Sequence, residues 1–168
     1  MGSSDLSPLQ HSWPLFERDR RFDLGLDLDP DIRAMIDVER DDEIMARFGV
    51  GAWSCELDDN RLTWSTGVYD MFGLPRGESV ARAYAVALYE EASRAAMERL
   101  RAYAIRHRRG FTLDVEIHPA TGGHRWIRLL AAPVCVGQNA VRLQGFKRDV
   151  TDLYARPRRG QAESTAAI

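Results

Sequence analysis

The strongest constraint on this chain lies in its second half, where three runs of alternating apolar and polar residues follow one another with only turn sequences between them. Phe111, Leu113, Val115 and Ile117 alternate with Thr112, Asp114, Glu116 and His118, the period of two that puts one face of a strand in a core. Pro119-Ala120-Thr121-Gly122-Gly123 then reverses the chain. The second run extends from Trp126 to Val136, where Pro133 predicts a bulge or bend. Gly137-Gln138-Asn139 turns the chain again, and Val141 to Asp149 make the third run. This pattern predicts three consecutive antiparallel strands.

The first half supplies the remaining layer. Trp53, Cys55 and Leu57 alternate on one strand, Asp58-Asp59-Asn60 has turn chemistry, and Leu62 and Trp64 alternate on a second, making a hairpin. Ser65 or Thr66 caps a short helix through Val68, Tyr69, Met71 and Phe72, stopped by Gly73 and Pro75. Residues 76–91 are weakly helical. Ser93 opens a main helix to about residue 109, with Ala96, Met97, Leu100, Tyr103, Ala104 and His107 at helical spacing. Arg106, Arg108 and Arg109 complement its C-terminal dipole and are not read as a nucleic-acid patch. Two strands, helices and three strands predict an α+β domain, a five-stranded antiparallel sheet with helices on one face.

Four segments are expected: an irregular extension at 1–28, an N-terminal helix at 29–48, the compact domain at 49–154 and a disordered tail at 155–168. Within the extension, Phe22, Leu24, Leu26 and Leu28 alternate with polar residues as in an extended segment laid on a surface, either its own domain or a partner. Asp29 and Pro30 are a cap and a first-turn proline. Ile32, Met35, Ile36, Ile44 and Phe48 then form an apolar stripe, broken around Glu39 and Arg40. A stripe of this kind must be covered, and a homodimer through this helix is expected.

Composition narrows the function classes. A net charge of −2 over 168 residues gives no overall drive toward nucleic acid. No apolar run approaches the ~20 residues that span a bilayer, and no secretory leader is evident, so neither membrane insertion nor export is expected. Cys55 and Cys135 are the only cysteines and belong to no CxxC pair; they read as buried small residues in a cytoplasmic protein. Lys147 is the only lysine among 23 basic residues, a bias read here as that of a GC-rich bacterial genome.

Several segments, in order, resemble one family. Trp53…Asp58…Leu62-Thr63-Trp64-Ser65, Tyr69-Asp70-Met71-Phe72-Gly73, Thr121-Gly122-Gly123-His124-Arg125-Trp126-Ile127 and Gly145…Asp149-Val150-Thr151 are similar to the PAS domain, of the subclass that ends in Asp-Ile/Val-Thr. The resemblance covers about residues 48–154. Tyr89-Glu90-Glu91-Ala92-Ser93-Arg94, Glu116 and Thr121 depart from the family pattern. It implies a ligand pocket between helices and sheet, lined by Trp53, Tyr69, Phe72, Met97, Leu100 and Leu113, which these side chains are expected to fill. It also implies a signal exit at Asp149, Val150 and Thr151, where the carboxylate holds backbone N–H groups or an arginine and so sets the direction of the departing chain.

No catalytic set is recognisable: there is no G-x-S-x-G, no phosphate loop and no H-E-x-x-H. The four histidines, His11, His107, His118 and His124, show no metal-ligand spacing. His107 occupies a region where some PAS relatives hold haem, but it reads first as a helix-end histidine. The flavin cysteine motif of light-sensing relatives is missing. A small ligand is therefore expected ahead of haem or flavin. The expectation is a non-enzymatic regulator: a stand-alone sensor or adaptor in bacterial two-component circuits, binding histidine kinases or response regulators through the sheet's outer face and the N-terminal helix.

Overall fold

The structure, a computed structural model, describes residues 7–39 and 42–155. Six strands form one antiparallel sheet in the order β1-β4-β5-β6-β2-β3: β1 Gln10–Pro14, β2 Val50–Glu56, β3 Leu62–Trp64, β4 Arg109–Ile117, β5 Arg125–Val136 and β6 Asn139–Asp149. The helices are α1 Arg18–Leu26, α2 Pro30–Glu39, α3 Asp42–Arg47, α4 Thr66–Phe72, α5 Arg82–Ala87, α6 Glu91–His107 and α7 Thr151–Ala155, with a 3-10 turn at Leu15–Glu17. The α+β, antiparallel reading holds. The β4-β5-β6 meander pairs in register, Leu113 against Leu129 and Leu130 against Phe146. The irregularity expected at Pro133 falls one residue later, between Val134 and Cys135.

Period-two alternation sorts the side chains onto two faces. Phe111, Leu113, Val115, Ile117, Ile127, Leu129 and Ala131 face inward and pack with Val68, Phe72 and Met97 of α4 and α6. Arg125 ties the two layers, its Nη1 donating to the last carbonyls of α4 at Asp70 (2.7 Å) and Met71 (3.0 Å). Gly73, in the left-handed region at φ +66°, ends α4 as its position predicted.

The N-terminal extension is a correction. It is not irregular, and it accounts for the sixth strand. β1 pairs with the free edge of β4, where Trp13 lies opposite Gly110. Trp13 is fully buried and its Nε1 donates to Thr112 Oγ1 (3.1 Å). A Cβ on Gly110 would run into the Trp13 ring, and one on Gly25 into Leu130, so these two glycines let the extension lie flat on the sheet. The Phe22–Leu26 stretch forms the end of helix α1, with Phe22 and Gly25, three residues apart on one helix face, against the sheet and Leu24 pointing to solvent. Phe22 stands edge-on to both Trp13 and Phe146. A surface offered to a partner by the sequence reading is thus partly covered by the chain itself.

Other boundaries moved for local reasons. Within the 29–48 segment, Pro30–Glu39 and Asp42–Arg47 are helical, and the expected break at Arg40 lies outside the described residues. Asp29 does cap the first, its Oδ1 accepting from Asp31 N (2.9 Å). Glu90, not Ser93, caps α6, its carboxylate accepting from Ala92 N and Ser93 N. Ser93 Oγ instead accepts from Glu116 N (2.8 Å) and pins α6 to β4. Ser65 Oγ likewise serves the sheet, accepting from Ala52 N (2.8 Å), while Asp42 binds Thr66 at the start of α4. Cys55 is buried; Cys135 is half-buried, not buried as expected. Ala155 is helical, and the rest of the expected tail lies outside the described residues. Among the described residues no helix is long and apolar enough to cross a membrane.

Candidate functional site

The alternation along β6 puts Leu143, Gly145 and Lys147 on the inner face. Lys147 therefore points an ammonium group into an apolar layer, where it is 6% exposed. Four rings surround its Nζ: Phe72 at 4.9 Å, Trp53 at 5.3 Å, Trp64 at 5.7 Å and Tyr89 at 5.9 Å from their centroids. The negative face of a ring attracts a cation, and more strongly away from water. Nζ donates one hydrogen bond, to Tyr89 Oη (3.3 Å), and no other partner for it exists among the described residues.

Each wall of this cage is placed by a separate element. Trp53 and Trp64 are cross-strand neighbours on β2 and β3. Phe72 ends α4, its ring 4.9 Å from that of Trp64. Tyr89 follows α5 and is held by a bridge to Ile117. Beside the lysine lies a cavity of about 50 Å³ between sheet and helices, lined also by Cys55, Arg82, Met97 and Arg101. Arg82 is paired with Glu98, and Arg101 Nη2 donates to Asn60 Oδ1 (3.1 Å). The described side chains that line it include three cations and no carboxylate.

Burial sets the electrostatics. It holds the Lys147 ammonium down to about 7; the Cys55 sulfur opposes the shift and Arg82 adds to it. The same burial pushes the Tyr89 phenol above its ordinary range. Near neutral pH the lysine therefore exchanges between amine and ammonium, so any ligand that prefers one form is coupled to a proton.

Two of the six residues expected in a pocket, Trp53 and Met97, line the cavity. Phe72 belongs to the cage around Nζ and to the core. Leu113 is buried in the core and Leu100 packs against it. Tyr69 stands edge-on to Trp64 and donates its hydroxyl to Glu78 O (2.6 Å), away from the cavity. His107 packs against Tyr103 at the exposed end of α6, with ring centroids 4.4 Å apart and the planes tilted by 42°. The sequence reading passed over Lys147, Tyr89, Arg82 and Arg101. One signal was available: the single lysine falls on the inward register of β6, in phase with Leu143.

Lys147 lies two residues before the chain leaves the sheet. Asp149 Oδ1 accepts from Thr151 N (2.9 Å) and Thr151 Oγ1 (2.6 Å), and Thr151 Oγ1 accepts from Trp126 N (3.0 Å). The carboxylate takes a backbone N–H, one of the two partners expected, and no arginine among the described residues. α7 then folds back over the outer face. Tyr154 stacks on Trp126 (4.1 Å, 10°) and donates to Asp114 Oδ2 (2.7 Å). Asp114, itself buried, receives Arg128 through two further bonds of 2.8 and 2.9 Å. Arg128 is held above its ordinary range by this carboxylate, and Tyr154 above its own by burial and by the same bond.

No protein-family model matches the chain, and no curated protein matches it significantly. Solved structures do. An RNA-binding light-oxygen-voltage receptor is 14% identical over 66% of this chain, which spans 32% of that protein, with a TM-score of 0.57. The N-terminal domain of a diguanylate cyclase with PAS/PAC sensor from Marinobacter aquaeolei is 13% identical over 62% of this chain and 98% of its own, with a TM-score of 0.57. A sensory box histidine kinase/response regulator from Burkholderia thailandensis E264 is 18% identical over 69% of this chain and 88% of its own, with a TM-score of 0.56. Likeness at these identities is likeness of fold: the chain has the PAS fold.

Proposed function

We propose that this PAS-fold chain is a cytoplasmic, non-enzymatic sensor. Its inner cavity takes up a small ligand, and its C-terminal exit passes the state of that cavity to partner signalling proteins such as histidine kinases or response regulators. The observation that carries the reading is the placement of Lys147. One strand bears both the cavity's buried cation and, two residues on, the Asp149–Thr151 turn that directs the chain out of the sheet. A change of charge or contact at Nζ acts on the same rigid strand that orients α7. Sensor domains of a diguanylate cyclase and a histidine kinase share the fold, which supports the class of function by analogy.

Affinity capture of the tagged full chain from its own cells, followed by mass spectrometry, tests the reading. The wild type is expected to retain a kinase or response regulator and Asp149→Ala to lose it. Replicate captures without any signalling protein would overturn it.

The proposal includes a homodimer through α2 and α3. Met35 and Phe48 are 49% and 38% exposed there, and Ile32 and Ile44 are half-buried; Ile36 lies outside the residues whose side chains are described. Met35→Asp is expected to halve the molar mass measured by light scattering, and an unchanged mass would remove this part of the proposal.

A further inference from the structure

We infer that the cavity beside Lys147 binds a small carboxylate, with its oxygens on Lys147 Nζ and its short apolar part among the rings of Trp53, Trp64 and Phe111. The inference deepens the sensory reading above by naming the class of ligand.

The Lys147 ammonium is short of partners. It carries three N–H donors and uses one, on a neutral phenol. Buried cations in proteins are normally paired with an anion, because ring faces and one hydroxyl replace only part of the lost hydration. No carboxylate lines the cavity among the described residues. Around the lysine, β2 contributes Cys55, α5 contributes Arg82, the segment after α5 contributes Tyr89, and α6 contributes Arg101, with Glu98 committed to Arg82. With Arg82 neutralised by Glu98, the positive charge facing the empty space comes from Lys147 and Arg101.

The remaining walls choose among anions. They are aromatic and aliphatic, with polar groups few and convergent, the usual composition of a small-molecule site. Inorganic phosphate or sulfate would leave most of its oxygens against rings. A quaternary ammonium, the other guest of aromatic cages, is excluded by the cation already seated there. Size follows from volume: a dry cavity of about 150 Å³ accepts the six heavy atoms of benzene, so about 50 Å³ holds little more than a carboxylate head group, and the remaining one or two carbons of acetate or propionate extend into the cavity's open side.

The proton makes the inference testable. A carboxylate binds the ammonium and not the amine, so binding is accompanied by proton uptake above neutrality. With the free group titrating near 7, affinity is expected to fall about 25-fold between pH 6.5 and 8.5.

Calorimetric titration of the full chain with sodium acetate and sodium propionate, in sodium chloride of matched ionic strength, reads this directly. Propionamide, uncharged and of the same shape, serves as control, and amide NMR shifts along Leu143–Lys147 locate the site. We expect saturable binding of at least one acid, weakening with pH as above, no binding of propionamide, and at least tenfold loss in Lys147→Met. That variant removes the charge while keeping an unbranched chain; its urea transition verifies folding. Three outcomes overturn the inference: no saturation by either acid at pH 6.5, equal binding by Lys147→Met, or affinity independent of pH. In any of these, the rings alone hold the ammonium as a structural element. Partner capture is read separately, so failure of the ligand and failure of the sensory reading are distinguishable.

Discussion

Replacing Lys147 by methionine should stabilise this protein at neutral pH. An unfolded lysine keeps its proton up to 10.5, whereas burial holds the folded one at about 7. That gap corresponds to a penalty of about 5 kcal/mol at pH 7. Attraction to the ring faces offsets part of it, at about 0.5–2 kcal/mol for a desolvated contact. Methionine fills similar space with no charge to desolvate. We therefore expect Lys147→Met to gain about 2–4 kcal/mol at pH 7, within the range seen when buried charges become apolar.

The pH dependence has a definite sign. Between about 7 and 10.5 the unfolded chain binds the proton that the folded chain has released, so the wild type gains stability as pH rises. The slope is at most about 1.4 kcal/mol per pH unit. Below about 7 both states are protonated and this contribution becomes constant. The variant lacks the titrating group, so its advantage should shrink steadily from pH 7 to 9. Urea denaturation of both proteins at pH 7, 8 and 9, followed by tryptophan fluorescence, measures it. A variant less stable than wild type at pH 7, or a difference independent of pH, would refute the reasoning. Lys147→Arg gives the converse: a guanidinium cannot shed its proton, and urea denaturation at pH 7 should show a loss of at least about 3 kcal/mol.

Three further outcomes follow from the outer face. Asp114→Ala strands the Arg128 guanidinium and the Tyr154 hydroxyl together, and should cost about 3–5 kcal/mol in urea denaturation. Tyr154→Phe removes one bond to a buried carboxylate, about 1.5–3 kcal/mol, and amide exchange over Thr151–Ala155 should quicken while β4 and β5 stay protected. Trp13→Ala empties a fully buried site and should cost about 3–5 kcal/mol. If the extension were a dispensable tail, its melting temperature would not change.

What could be read without coordinates was periodic or local. Alternation from Phe111 to Asp149 carried the meander, because a strand's two faces differ at every second residue. Gly73 and Asp29 carried helix ends, because a left-handed stop and an N-cap are decided within one turn of chain. The exit turn was legible for the same reason, since Asp149 and Thr151 bond to each other across two residues. The N-terminal extension resisted this approach. Its alternation from Phe22 to Leu28 is a strand-like pattern, yet Phe22–Leu26 folds as a helix because packing on Phe146 and Leu130 outweighs a weak local preference.

The cavity marks the boundary most clearly. The amino-acid sequence by itself determined that β6 would turn Leu143, Gly145 and Lys147 to one side, since parity along a strand needs no partner. Only the tertiary structure decided what that side would meet. Lys147 finds Tyr89 across 58 residues and Trp13 finds Thr112 across 99, separations over which no period in the chain survives. A lysine facing inward is costly in isolation; closure of β2, β3, α4 and α5 around it is what turns that cost into a caged cation beside an open space.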